Sequence, residues 1–197
     1  MRRGILLALF VSITLTACAQ EPLLPPVKKN DWYAKAVTKF EATVEPAEAK
    51  PGQTVAMRFA FDLAPGYTTY PTVQVDKSAE GMVNRVTYPD AGAVVFVGDT
   101  IDPPKFSKKQ ELEVGIKELR YYSGRVVFER KFVVNPTQKP GDITVTVPSF
   151  RLMVCDANNC FPAKNLVPEV KLKVLPGSAV AVEKEFADEV AKALAGL

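Results

Sequence analysis

Apolar residues recur at every second position through long stretches of the chain. Residues 40–44 (Phe-Glu-Ala-Thr-Val) alternate. Residues 55–63 alternate again, with Val55, Met57, Phe59 and Phe61 on one side and Arg58 and Asp62 on the other. Residues 112–116, 126–134, 143–147 and 170–174 repeat the style. A period of two places alternate side chains on opposite faces of a strand, so each run predicts a strand buried on one face. The runs are short and separated by Pro, Gly, Asp and Asn, which predicts an all-β chain: an immunoglobulin-like antiparallel β-sandwich over residues 38–176. No helical period interrupts them, which argues against parallel α/β folds.

The ends read differently. Residues 32–40 suit either a short helix or the entry to the first strand. After Pro176-Gly177, Val182, Phe186, Val190 and Leu194 recur every four residues behind Ser178, a residue suited to an N-cap. Residues 177–197 are therefore expected to carry a short C-terminal helix whose apolar stripe docks on the sandwich. At the other end, Arg2 and Arg3 precede an apolar run over 4–15 and small residues ending at Cys18. That order is a secretory signal over residues 1–17, and the run is too short to span a bilayer. Leu15-Thr16-Ala17-Cys18 resembles the bacterial lipobox, which makes Cys18 the expected lipidation site and residues 18–37, with Pro22, Pro25 and Pro26, a lipid anchor and Pro-rich tether. The expected location is the periplasmic side of a bacterial cell envelope, with the lipid as the membrane attachment.

Composition narrows the chemistry. The 197 residues hold 25 Lys plus Arg, 22 Asp plus Glu and no His. Removing Arg2 and Arg3 with the signal leaves a nearly neutral chain without a basic stripe, so nucleic acid is not an expected partner. Without His there is no Ser-His-Asp or Cys-His catalysis within the chain and no His-ligated zinc.

Beyond Cys18 the only cysteines are Cys155 and Cys160, separated by Asp156-Ala157-Asn158-Asn159. The flanks look extended and the four residues between are turn formers that tolerate a left-handed backbone. The thiols then sit at the ends of a hairpin, where a disulfide is feasible and an exported compartment favours it. Three readings stand side by side. A structural staple is one, although a closed loop of about six residues contributes only about 2 kcal/mol. A redox pair on an accessible turn is the second. The third, a metal site, lacks the usual three or four ligands, and neither a metal nor a cofactor is expected.

The segment from Cys155 to Phe161-Pro162, with its closing strand, resembles the N-terminal periplasmic domain of the thiol:disulfide interchange reductase DsbD. Upstream, Gly66-Tyr67-Thr68-Thr69-Tyr70-Pro71 is similar to that family's Gly-Tyr-x-x-Tyr segment. The resemblance covers residues 40–174. It implies a thiol–disulfide exchange module, a component of a protein-disulfide reductase system, that relays electrons between thioredoxin-like partners and is supplied by a membrane electron donor. It gives Cys160 the intermolecular bond and Cys155 the resolving role. Tyr67, Tyr70, Phe161 and Pro162 would line the site, with Tyr121 or Tyr122, from residues 118–124, as an aromatic shield. The chain lacks that reductase's membrane and thioredoxin-like domains, so it reads as a stand-alone lipoprotein with separate donor and acceptor. The alternative is a non-catalytic envelope lipoprotein whose sandwich binds another protein and whose disulfide is structural.

Overall fold

The computed structural model describes residues 31–196. The expected signal peptide, the lipidation at Cys18 and the Pro-rich part of the tether lie outside the described residues. A five-residue helix, α1 (Trp32–Ala36), leads into β1 (Val37–Glu45), β2 (Glu48–Ala49), β3 (Thr54–Leu63), β4 (Thr68–Thr69), β5 (Arg85–Thr87), β6 (Val94–Ile101) and β7 (Ser107–Glu111). There follow β8 (Ile116–Tyr121), β9 (Arg125–Val134), β10 (Gly141–Thr146), β11 (Ser149–Leu152), β12 (Val154–Cys155), β13 (Lys164–Leu166), β14 (Glu169–Val174) and the helix α2 (Ala187–Leu194).

One layer is a four-stranded antiparallel sheet in the order β1-β3-β9-β6. The alternation in β3 does what it predicts: Val55, Met57, Phe59 and Phe61 are buried on the inner face. Opposite them pack the small sheets β10-β14-β2 and β13-β11-β5. In β14, Val170, Leu172 and Val174 face inward while Lys171 and Lys173 face water. Phe150 of β11 joins the layers, its ring centroid 5.3 Å from Phe59, 5.1 Å from Phe61 and 5.5 Å from Phe128. Interdigitated aromatic rings of this kind supply both buried area and fixed geometry to a sandwich core. The result is a mostly β-stranded, antiparallel sandwich with a short C-terminal helix, the one parallel pair among the described residues being β14 with β2.

Three sequence expectations need correction. Residues 32–37, assigned above to the tether, belong to the folded unit: α1 buries Ala36 completely, and the Ala36 carbonyl accepts from Ala64 N at 2.9 Å. The run 112–116 is not one strand: only Ile116, the first residue of β8, is in one. Leu112–Val114 is a single 3-10 turn at the tip of the β7–β8 hairpin, ended by Gly115 at φ 77°, and Leu112 and Val114 stand exposed. The third concerns Ser178, which caps nothing. Val180 N donates to Pro51 O at 2.9 Å, which holds this stretch against residues 51–52, so the helix begins only at Ala187. Gly52 is needed there, because a Cβ would lie 2.1 Å from Val180 O. The helix does dock: Phe186 and Val190 bury against Val95, Val97 and Val133 on the outer face of the large sheet, and Glu189 accepts from Gly98 N.

Candidate functional site

Cys155 and Cys160 form a disulfide, with Cα atoms 4.0 Å apart. The sequence between them makes a tight antiparallel hairpin. Asp156 N donates to Asn159 O at 2.9 Å, and Phe161 N donates to Val154 O at 3.0 Å. The cysteines fall between these two bonded pairs, directly opposite one another, as a non-hydrogen-bonded pair. That is the position in an antiparallel ladder where facing side chains come closest. The turn closes without any left-handed residue, since no non-glycine described here has positive φ. The Asp156 carboxylate does the work instead, accepting from Asn158 N at 2.8 Å and Asn159 N at 2.7 Å. Such Asx bonding replaces the backbone partners the turn amides lack.

The two sulfurs are in different surroundings. The Cys155 leg is an inner strand, paired to β4 on its other side through Val154↔Thr69 and Cys155↔Thr68, and Cys155 is only 3% exposed. The Cys160 leg is the outer one, and Cys160 is exposed.

The tyrosine segment is delivered to this hairpin by a turn. Ala64-Pro65-Gly66-Tyr67 closes with Tyr67 N donating to Ala64 O at 3.1 Å, and Gly66 takes φ 86°. Pro at the second position and a left-handed Gly at the third are the type II arrangement. Tyr67 and Tyr70, three residues apart, then diverge. Tyr70 is fully buried in a cluster with Cys155, Ile116, Leu119 and Ala79, and its hydroxyl lies 3.9 Å from Cys160 Sγ. Tyr67 turns to the opposite side and meets Phe161, at 6.1 Å between ring centroids. Phe161 is half-buried and Pro162 is exposed on the exit leg. Tyr121 is partly buried against the Tyr70–Cys155 cluster. It sits on a strand, β8, where a loop was expected. Tyr122 departs from the group: it is buried in the main core, edge-on to Phe128, with its hydroxyl donating to Pro103 O at 3.2 Å. Alternation along the chain sends Tyr121 and Tyr122 to opposite faces, so only one of the pair can approach the sulfurs.

Several residues that shape the site carry no sequence signal. Asn84 is completely buried; its Oδ1 accepts from Met153 N at 2.8 Å, and its Nδ2 donates to Tyr70 O at 2.5 Å and Thr69 Oγ1 at 3.0 Å. Thr69 Oγ1 in turn donates to Met153 O at 2.7 Å. This satisfied network ties the tyrosine segment to the strand carrying Cys155, and buried polar groups bonded this fully specify one arrangement. The strand β8 is fastened by Gln74, which bonds both the N–H and the carbonyl of Arg120. Asp76 helps by accepting from Lys117 N and Glu118 N. Those amides, Lys117 N foremost, hold the Asp76 carboxyl below its usual range.

Burial pushes the Tyr70 phenol up to about 12, so a neutral hydroxyl faces Cys160 at ordinary pH. A groove of about 670 Å³ lined by Arg85, Tyr88 and Arg130 reaches Asn84, and neither sulfur opens into it. Among the described residues no group of three or more His, Cys, Asp or Glu side chains is placed to hold a metal. None of the described helices is long and apolar enough to cross a membrane. Chemically, the arrangement offers one exposed cysteine, one covered cysteine and a neutral hydroxyl beside the exposed one.

No family model matches the chain, and no curated protein does. Among solved structures, the N-terminal periplasmic domain of ScsB from Proteus mirabilis is similar at 17% sequence identity and a TM-score of 0.42. The match covers 82% of this chain and 59% of that one, a likeness too loose to carry an argument about activity.

Proposed function

We propose that this chain is a thiol–disulfide exchange module of the bacterial envelope, held to a membrane by lipid on Cys18. It would relay electrons between thioredoxin-like proteins, with a membrane electron donor upstream. The observation that carries the reading is the asymmetry of the pair: Cys160 is exposed and Cys155 is 3% exposed. A foreign thiolate reaches a disulfide only at an accessible sulfur. The partner's thiolate attacks Cys160 Sγ, the Cys155–Cys160 bond breaks, and Cys155 leaves as a thiolate that takes a proton from water. The partner's second thiolate then attacks the partner's sulfur in the mixed disulfide, that bond breaks, and Cys160 leaves as a thiolate that takes a proton from water. The partner leaves oxidised and this chain holds two thiols. With an oxidised acceptor the same steps run in reverse order, Cys160 attacking first and Cys155 resolving. Tyr70, Tyr67, Tyr121, Phe161 and Pro162 form the surroundings of that exchange, and Tyr122 has no part in it.

The test is a pair of measurements. In the reduced protein a small alkylating agent should modify Cys160 well before Cys155, and a Cys155→Ala variant should trap a thioredoxin-like partner through Cys160. The reduction potential separates this reading from a structural bridge, because structural disulfides of exported proteins lie below about −300 mV. A potential below that, with no trapped partner, would return the pair to the structural class. A Cys18→Ser variant should move to the soluble envelope fraction.

A further inference from the structure

We propose that Trp32 is a positioning residue for the cysteine pair: stacked on Phe161, it holds the Cys160 leg in register with Cys155. The inference rests on the exchange reading of the same site. Phe161 follows Cys160 directly, and its ring lies between two others. Trp32 stacks on it with centroids 5.3 Å apart and planes 9° from parallel, and Tyr67 meets it at 6.1 Å and 38°. Trp32 is itself fixed from behind. Tyr33 lies edge-on to it at 5.8 Å, and α1 is seated by the buried Ala36 and its bond to Ala64 N. Through Phe161 the Cys160 leg rests on the edge of the main core, where Trp32 and Tyr67 are its aromatic neighbours. Beyond the turn bond from Asp156 N to Asn159 O, Phe161 N to Val154 O is the backbone bond that pairs the leg to the Cys155 strand, and regular pairing resumes at β13. The aromatic stack therefore sets where Cys160 stands relative to Cys155.

The consequence is redox, not only structural. When the pair is oxidised by a reference disulfide such as oxidised glutathione, two thiols give up two protons and two electrons, and one disulfide becomes two glutathione thiols. The equilibrium constant for closing the bridge depends on how well the open thiols are held together. Loosening the Cys160 leg lowers that constant and makes the pair easier to reduce.

The experiment is redox titration of the full chain, as wild type, Trp32→Ala, Trp32→Phe, Phe161→Ala and the double variant. Trp32→Ala should lower the closing constant roughly three- to tenfold, shifting the potential by about 14–30 mV to less negative values. Trp32→Phe, which keeps a stacking ring, should stay within about twofold of wild type. Phe161→Ala, which also loses the Tyr67 contact, should shift the potential at least as far as Trp32→Ala, and the double variant should match Phe161→Ala alone, because the Trp32–Phe161 contact is already gone. A purely structural Trp32 would lower thermal stability while leaving the potential in place, and that outcome overturns the proposal. Equal shifts from Trp32→Ala and Trp32→Phe, or additive effects in the double variant, overturn it too. Failure of the exchange reading looks different: the wild type fails to exchange with a thioredoxin-like dithiol, whatever the variants do to the potential.

Discussion

The hydroxyl of Tyr70 stands 3.9 Å from Sγ of Cys160, while its ring is packed in the cluster that covers Cys155. One side chain thus touches the surroundings of both sulfurs. Its burial keeps the phenol neutral, so toward a newly formed Cys160 thiolate it can act as a donor and never as a repelling charge. Tyr70→Phe should leave the fold intact and slow alkylation of Cys160 in the reduced protein by about fivefold near neutral pH, the equivalent of about 1 kcal/mol for one hydrogen bond. An unchanged rate would mean that the hydroxyl does not serve the sulfur.

Replacing both Cys155 and Cys160 by Ala should cost about 2–3 kcal/mol and leave a folded sandwich. The closed loop is short, so the entropy removed from the unfolded chain is small. Phe59, Phe61, Phe128 and Phe150, which bind the layers together, are untouched. Denaturant unfolding followed by far-ultraviolet circular dichroism reads this directly. Loss of cooperative unfolding in the double variant would show that the bridge is structural.

Asn84→Ala should be the more damaging change, at about 2–4 kcal/mol, although Asn84 touches neither sulfur. It removes the acceptor for Met153 N and the donor to Tyr70 O inside a fully buried network, and unsatisfied buried groups carry the full desolvation penalty. Amide hydrogen exchange at Met153 should accelerate with it. A loss below about 1 kcal/mol would contradict the network as described.

Asp102 gives a pH signature. Burial raises its carboxyl above the usual 3.8, an effect opposed by bonds from Thr72 N and Thr72 Oγ1. Between the unfolded and the raised folded value the native state binds more protons than the unfolded chain. Stability from this group is therefore highest at low pH and falls as pH rises through that window. Wild type should gain stability relative to Asp102→Asn as pH is lowered from 7 to below 4, measured by urea unfolding at each pH. A difference that stays constant across that range, or that runs the other way, would contradict the assignment.

Three strands of the large sheet, β1, β3 and β9, were legible because their apolar residues alternate, β3 above all; β6 was not read, because Val94, Val95, Phe96 and Val97 are buried in a row, two against the core and two under the C-terminal helix. The hairpin of Cys155 and Cys160 was legible for a similar reason: turn formers between extended flanks leave few alternatives. Residues 112–116 misled because Leu112, Val114 and Ile116 mimic one strand, whereas Gly115 breaks it: Leu112 and Val114 stand exposed at the hairpin tip and only Ile116, the first residue of β8, is buried. The opposite fates of Tyr121 and Tyr122 depend on which face of β8 meets the sulfurs, and no local pattern records that. Asn84 and Trp32 were invisible for a deeper reason. Each acts through partners far away in the chain, Met153 for one and Phe161 for the other, and only the packed sandwich brings them together.

A buried sulfur behind an exposed one leaves a single doorway to the pair. On the exchange role proposed above, donor and acceptor would use the same threshold in turn, since a ternary complex would need a second approach to Cys155, which its neighbours block. Steady-state kinetics with two partners should then show parallel double-reciprocal lines, the pattern of double displacement, and each partner in excess should inhibit by occupying the doorway meant for the other. Traffic through a module of the proposed kind would be governed by the queue at Cys160, not by the distance between donor and acceptor.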